Sequence, residues 1–248
     1  MATTGIIQPP VHALAAAAVT NQLGRDGLDF ARRIYPLLAA QNTYLGDRRT
    51  VGPHGLAAVV HPWEAGLDNS PAWDDPLHVV PADLGLFDTY TRRDVGHAGA
   101  GERPTDEDYA RYIRLALSYR DHDYDDDWVR AEAEFLVVDP AFNALWAWSE
   151  LALAELAERA GAEPGPHLAE ADRITSALIN GLWSERLGMF VARDARTGQP
   201  HSERTVAGLL PLVLPGLPEH LSQRWSQPRP ETRSGRRTMR STGCRASP

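Results

Sequence analysis

The stretch His61-Pro62-Trp63-Glu64-Ala65-Gly66-Leu67-Asp68-Asn69-Ser70-Pro71-Ala72-Trp73-Asp74-Asp75 constrains this chain more than any other. It follows the apolar run Leu56-Ala57-Ala58-Val59-Val60, which reads as buried structure, so the polar segment must be held at the edge of a core. Glycine and prolines on both sides of Asp68 argue against a long regular helix and for a loop that aims side chains into a cavity. The residue types suit carbohydrate chemistry: a flat apolar ring covers a sugar face, and Asn and His bond hydroxyls. A carboxyl group shielded by tryptophan has its pKa raised and can protonate a glycosidic oxygen. Asp68 lies five residues from both Trp63 and Trp73, the best placed acid for that role. The same composition also fits a polar turn with core tryptophans and helix-capping acids, and the residues alone leave both readings open.

The charge is unevenly spread. All 25 basic residues are arginine, and residues 224–248 carry seven of them with one acid, so residues 1–223 hold a net charge of −14. An acidic body does not suit nucleic acid or an anionic membrane. The single cysteine, Cys244, excludes a disulfide framework and a cysteine metal site, and no metal or organic cofactor is implied. No apolar stretch reaches about 18 residues, which argues against a membrane span. Met1 to Gln8 lack the pattern of a secretory signal, so cytoplasm is the expected location.

The run HPWEAGLDNSPAWD resembles the signature of the inverting (α/α)6-barrel α-glycosidases of glycoside hydrolase family 63, close to the mannosylglycerate and glucosylglycerate hydrolases. Their usual form is H-P-W-E-S-G-x-D-N-S-P-x-W-D, and this chain departs from it at Ala65, where serine is usual. The resemblance implies an all-α fold, an incomplete (α/α)6 toroid with a short β-hairpin, and a small carbohydrate or glycoside as the substrate. It makes Asp68 the general acid and places Trp63, Glu64, Asn69 and Trp73 around the sugar. It also implies that Gln8 reaches the sugar, that Arg103 and Tyr109 bind the carboxylate of the aglycone, and that Asn143 faces the barrel axis. An arginine fork matches a carboxylate bidentately, and a tyrosine hydroxyl adds one donor. Each has a plainer alternative: Gln8 caps a helix, Arg103 pairs with Glu102 or Asp106, and Asn143 caps a turn.

Along the chain, Pro9 and Pro10 lead into a buried helix over Val11 to Val19, and Gly27 to Arg49 has helical spacing despite Pro36, with Arg32 and Arg33 on a solvated face. Residues 76–104 show no sustained period. Thr105 caps a helix through Tyr119, and the acidic run Asp121 to Asp127, which lacks the EF-hand glycine and glutamate, reads as an exposed loop. Asp139 opens an apolar helix ended by Gly161, on which Glu150 reads as a surface acid. Pro166 to Leu182 gives an outer helix, Trp183 to Val191 a hairpin, and Thr205 to Leu214 one more helix.

From Arg224 the chain has no period and little apolar content, which sets residues 224–248 apart as a disordered basic tail or as out-of-frame sequence, while the resemblance implies that residues 1–223 are a partial catalytic domain. The family's barrel needs about six helix pairs, more than this chain holds, and its general base glutamate has no match here. Inversion requires a second carboxyl group about 6.5–9.5 Å from the acid. A catalytically inactive carbohydrate-binding half-barrel and a truncated gene remnant are therefore the competing expectations. The oligomeric state is not legible.

Overall fold

The computed structural model describes residues 5–93 and 103–221, so the basic tail lies outside the described residues. The longest helix, α6 (Pro140–Ala160), is also the most enclosed: Phe142, Trp146, Leu153 and Leu156 are fully buried along it. Its ends follow from local chemistry. Asp139 caps the start by accepting from the Phe142 amide at 2.7 Å, Pro140 occupies the first turn, and Gly161 closes the end at φ 81°.

Around α6 pack α1 (His12–Gln22), α2 (Asp26–Tyr44) and α7 (Gly165–Leu182). The α1 helix is not buried throughout as its composition suggests: Ala13, Ala16, Ala17 and Thr20 face inward, while Val11 and Val19 stay exposed. Pro36 sits inside α2 on its exposed side, and a π turn at Leu45–Arg49 ends that helix. Gly27 sets how closely α2 follows α1, since a Cβ there would stand 2.3 Å from the Thr20 carbonyl oxygen. Gly27→Ala is expected to destabilise the fold by about 1–3 kcal/mol, read as a lowered urea midpoint with an unchanged slope.

A four-stranded antiparallel sheet, absent from the sequence expectation, lies at the ends of the helices. Its order is β1 (Thr50–Val51), β2 (Leu56–Val59), β3 (Val137–Val138) and β6 (Arg193–Asp194). Ala58 pairs with Val138 and Thr50 with Ala57, and all of β2 is buried. The expected hairpin is present as β4 (Trp183–Ser184) and β5 (Met189–Phe190).

The remaining helices are α3 (Asp74–His78), α4 (Asp106–Asp121), capped by Thr105, and α5 (Asp126–Glu132). The acidic run is the expected loop at residues 122–125, between α4 and α5, and α5 begins on its last two residues; Asp125 caps α5 by accepting from the Asp127 amide at 2.9 Å. The expected helix after Thr205 is present as a 3-10 helix at Val206–Val213, with Pro211 inside it.

Glu150 is likewise not a surface acid. It is 4% exposed and accepts from Asn42 at 3.0 Å, from Trp146 at 3.3 Å and from His167 at 2.7 Å, whose other ring nitrogen meets the Tyr35 hydroxyl at 3.0 Å. Helices α2, α6 and α7 are joined through this polar cluster.

Candidate active site

The buried strand β2 delivers the chain to His61, and the signature then folds as two short proline-led turns with Asp68 between them. In the first, a 3-10 turn at Pro62–Ala65, the His61 side chain accepts from the Trp63 amide at 3.1 Å, and Gly66 ends the turn at φ 69°. In the second, at Pro71–Trp73, Ser70 accepts from the Ala72 amide at 3.3 Å. Between the turns the backbone is pinned twice: Trp73 donates its indole N–H to the Leu67 carbonyl at 2.7 Å, and the Tyr112 hydroxyl donates to the Asp68 carbonyl at 3.0 Å.

The result is an exposed Asp68 side chain on a fixed backbone. It lines a cavity of about 340 Å³ with Leu67, Asn69, Ser70, Arg204, Thr205 and others. Partial desolvation by the surrounding loop raises its carboxyl pKa above the ordinary value, even though the side chain opens to the cavity. Asp74 nearby is also raised, by burial and then by the negative charge of Asp108.

Trp63 is half-buried, 4.4 Å from the His61 ring and 6.2 Å from that of Tyr112. His61 Nε2 bonds the Tyr112 carbonyl oxygen at 3.0 Å, so Nε2 carries the proton and Nδ1 is the acceptor. Burial pushes its pKa down to about 4. A depressed histidine favours the folded state fully above its unfolded pKa of about 6.5, and that contribution disappears as pH falls toward 4. Asp139, raised to about 6 by burial, has the opposite sign, its contribution lost as pH rises through that value. Only a difference against a variant isolates His61. His61→Gln is expected to remove up to roughly 3 kcal/mol of acid sensitivity between pH 6.5 and 4, measured by denaturant titrations of both proteins across that range.

The other sequence candidates separate into two groups. Gln8 and Arg103 are exposed; Gln8 donates its side-chain amide to the Trp63 carbonyl at 3.1 Å, joining the N-terminal segment to the site loop. Tyr109 is half-buried in an aromatic row, 6.3 Å from both Phe87 and Tyr112, with the Arg92 guanidinium 4.5 Å from its ring centre. Asn69 stands on the cavity wall.

Three candidates point inward instead. Trp73 is 1% exposed and packs edge-on against Phe135. Asn143 is fully buried and bonds the backbone of Ala57. Glu64 is fully buried against Arg49 and two backbone amides. In this structure their polar groups bond the fold itself: the Trp73 indole to Leu67, the Asn143 amide to Ala57, and the Glu64 carboxylate to Ile7, Val60 and Arg49.

Sequence reasoning did not single out Tyr112, which holds the Asp68 backbone, or Arg204, which faces the same cavity from 136 positions later. Tyr112 reads as one more apolar residue of helix α4, and nothing local marks Arg204. Among the described residues no cluster of three or more His, Cys, Asp and Glu side chains is placed to hold a metal ion, and no helix is long and apolar enough to cross a membrane.

Comparison with known proteins bears on this geometry. The family described as "Mannosylglycerate hydrolase MGH1-like glycoside hydrolase domain" matches residues 1–247. A mannosylglycerate hydrolase of Thermus thermophilus is 37% identical over 214 residues, 85% of this chain and 51% of that protein. A glucosylglycerate hydrolase of Mycolicibacterium hassiacum is 31% identical over 237 residues, 87% of this chain and 50% of that one. Crystal structures of a GH63 mannosylglycerate hydrolase from Thermus thermophilus, in complex with Tris and D-glycerate and with glucose, superpose with TM-scores of 0.77 and 0.74 at 36% identity. They cover 85% of this chain and 51% and 50% of theirs. The chain thus spans about half the length of the curated relatives it matches, and its mostly helical fold is an incomplete (α/α)6 toroid. It belongs to the mannosylglycerate hydrolase MGH1-like family of glycoside hydrolases.

Proposed function

We propose that this chain carries the acid half of an inverting glycosidase acting on mannosylglycerate, glucosylglycerate or a similar small α-glycoside. The observation that carries the reading is the Asp68 carboxyl group, exposed in a cavity on a doubly anchored backbone, with its pKa shifted upward, the direction a proton donor needs. Trp63 offers an apolar ring for the sugar face, Asn69 on the cavity wall and the exposed Gln8 serve as polar contacts, and Arg103 and Tyr109 take the aglycone carboxylate. Inversion also needs a base carboxylate across the sugar, and we assign that role to no residue of this chain. On this reading the base comes from the part of the relatives' length that the chain does not span.

Isothermal titration of the chain with glucose and with D-glycerate, beside an assay for glycerate release from mannosylglycerate, tests the proposal. Saturable glucose binding is expected, weakened at least tenfold by Trp63→Ala. Absence of binding for both ligands would sink the reading. Saturable binding with no glycerate release is the outcome that favours the carbohydrate-binding half-barrel for the chain by itself.

A further inference from the structure

Glu64 belongs to the signature, yet it is fully enclosed and all its contacts come from donors. One carboxylate oxygen accepts from the Ile7 amide at 3.1 Å and from the Arg49 guanidinium; the other accepts from the Val60 amide at 2.8 Å. Arg49 is itself fully buried and lies 3.8 Å from the Asp126 carboxylate. Burial would lower the Arg49 pKa, but Glu64, Tyr119, Tyr44 and Asp126 hold it above its ordinary value. Asp126 accepts from the hydroxyls of Tyr44 at 2.7 Å and Tyr119 at 3.0 Å, and the single Tyr119 proton is shared between Asp126 and the Gly5 carbonyl, 3.3 Å away.

These links form a closed circuit. The segment from Gly5 to Pro9 is tied to the core at Gly5 through Tyr119 and at Ile7 through Glu64. From there Gln8 reaches the Trp63 carbonyl, and the Pro9 ring lies so near Gly66 that a Cβ on that residue would stand 3.2 Å from Pro9 Cγ. The Val60 amide held by Glu64 is the last before the site loop, four residues upstream of Glu64 itself.

We propose that Glu64, backed by Arg49, is a positioning residue that fixes the Gln8 segment and the Trp63 loop against one another, and so sets the geometry of the sugar site without touching the ligand. The part of this concerning sugar rests on the function proposed above; the clamp itself does not. The arrangement demands a carboxylate, because Ile7 and Val60 donate to different oxygens and an amide side chain would turn its own N–H groups toward one of them.

Glu64→Gln alone would leave a buried guanidinium without its counter-ion and is expected to compromise folding. The test is therefore the double variant Arg49→Met/Glu64→Gln in the full chain, which removes both charges and leaves Asp126 its two tyrosine donors. Hydrogen exchange at the Ile7 amide is expected to accelerate at least tenfold while that of Phe142, capped by Asp139, does not change. Glucose, titrated as the probe, is expected to bind at least tenfold more weakly. Ile7→Pro, which deletes one donor and leaves the buried pair intact, is expected to weaken glucose binding in the same direction. The proposal is overturned if the double variant keeps wild-type glucose affinity, or if Ile7 exchange stays within twofold of wild type. If wild-type chain fails to bind glucose, the sugar reading falls, and accelerated Ile7 exchange still establishes the clamp.

Discussion

Asp68→Asn is expected to reduce hydrolysis of mannosylglycerate by two to four orders of magnitude, the usual contribution of a positioned general acid. The substitution keeps the size of the side chain and leaves the two bonds that hold the loop, Trp73 to the Leu67 carbonyl and Tyr112 to the Asp68 carbonyl, because both engage backbone. Glucose affinity should therefore stay within about threefold. The comparison is made on the chain extended by the stretch of its relatives that it does not span, which supplies the base on the reading above. A general acid acts only when protonated, so activity should fall as pH rises through the Asp68 pKa, which burial has moved above the ordinary carboxylate value. That alkaline limb should flatten in the asparagine variant. A variant retaining wild-type kcat, or keeping the same limb, would move the acid role to another group.

Elements whose ends and faces are both encoded locally were legible in the sequence. Helix α6 has its cap at Asp139, its proline at the first turn, its glycine at the end and a continuous apolar interior. The Asp68 loop, with its proline-led turns, was equally plain. What escaped depends on partners distant in the chain. Strands of two residues, such as β1 and β3, show no alternation to read, and they exist because β2 lies between them. Glu150 looks like a surface acid until Asn42, 108 positions away, and His167 close around it.

The inward turn of Trp73, Glu64 and Asn143 has the same origin. A motif specifies which residue types gather at a site but not which of them face the ligand. Indole, carboxylate and amide groups serve as well for bonding a loop to its own core as for contacting a sugar, and here the backbone atoms at Leu67, Val60, Ile7 and Ala57 claim them.

Asn143→Leu is expected to cost on the order of 3–5 kcal/mol, near the upper range for one substitution. The Asn143 amide accepts from the Ala57 N–H at 2.8 Å and donates to the Ala57 carbonyl at 2.8 Å and the Asp139 carbonyl at 2.9 Å. Strand β3 ends at Val138 and the chain turns into α6 at Pro140, so no β3 residue remains to pair with Ala57 on that side of β2. The side-chain amide takes that place. Leucine fills a similar volume but leaves the N–H and the C=O of Ala57 buried without those partners, and each such group costs about 1–3 kcal/mol. Asn143→Asp separates hydrogen bonding from packing. An ionised carboxylate there would face two carbonyl oxygens in a fully buried position, so the aspartate is expected to hold its proton in the folded state. Its folded pKa then lies above the unfolded value near 3.9. The aspartate variant should accordingly approach wild-type stability at low pH and lose it as pH rises, whereas the leucine variant should show no such difference from wild type. Denaturant midpoints at pH 4 and pH 8 for the three proteins measure this. Equal losses for the aspartate variant at both values would show that packing, and not the paired N–H and C=O of Ala57, holds β2 to α6. Because β2 runs directly into His61, the same bonds set where the Asp68 loop begins.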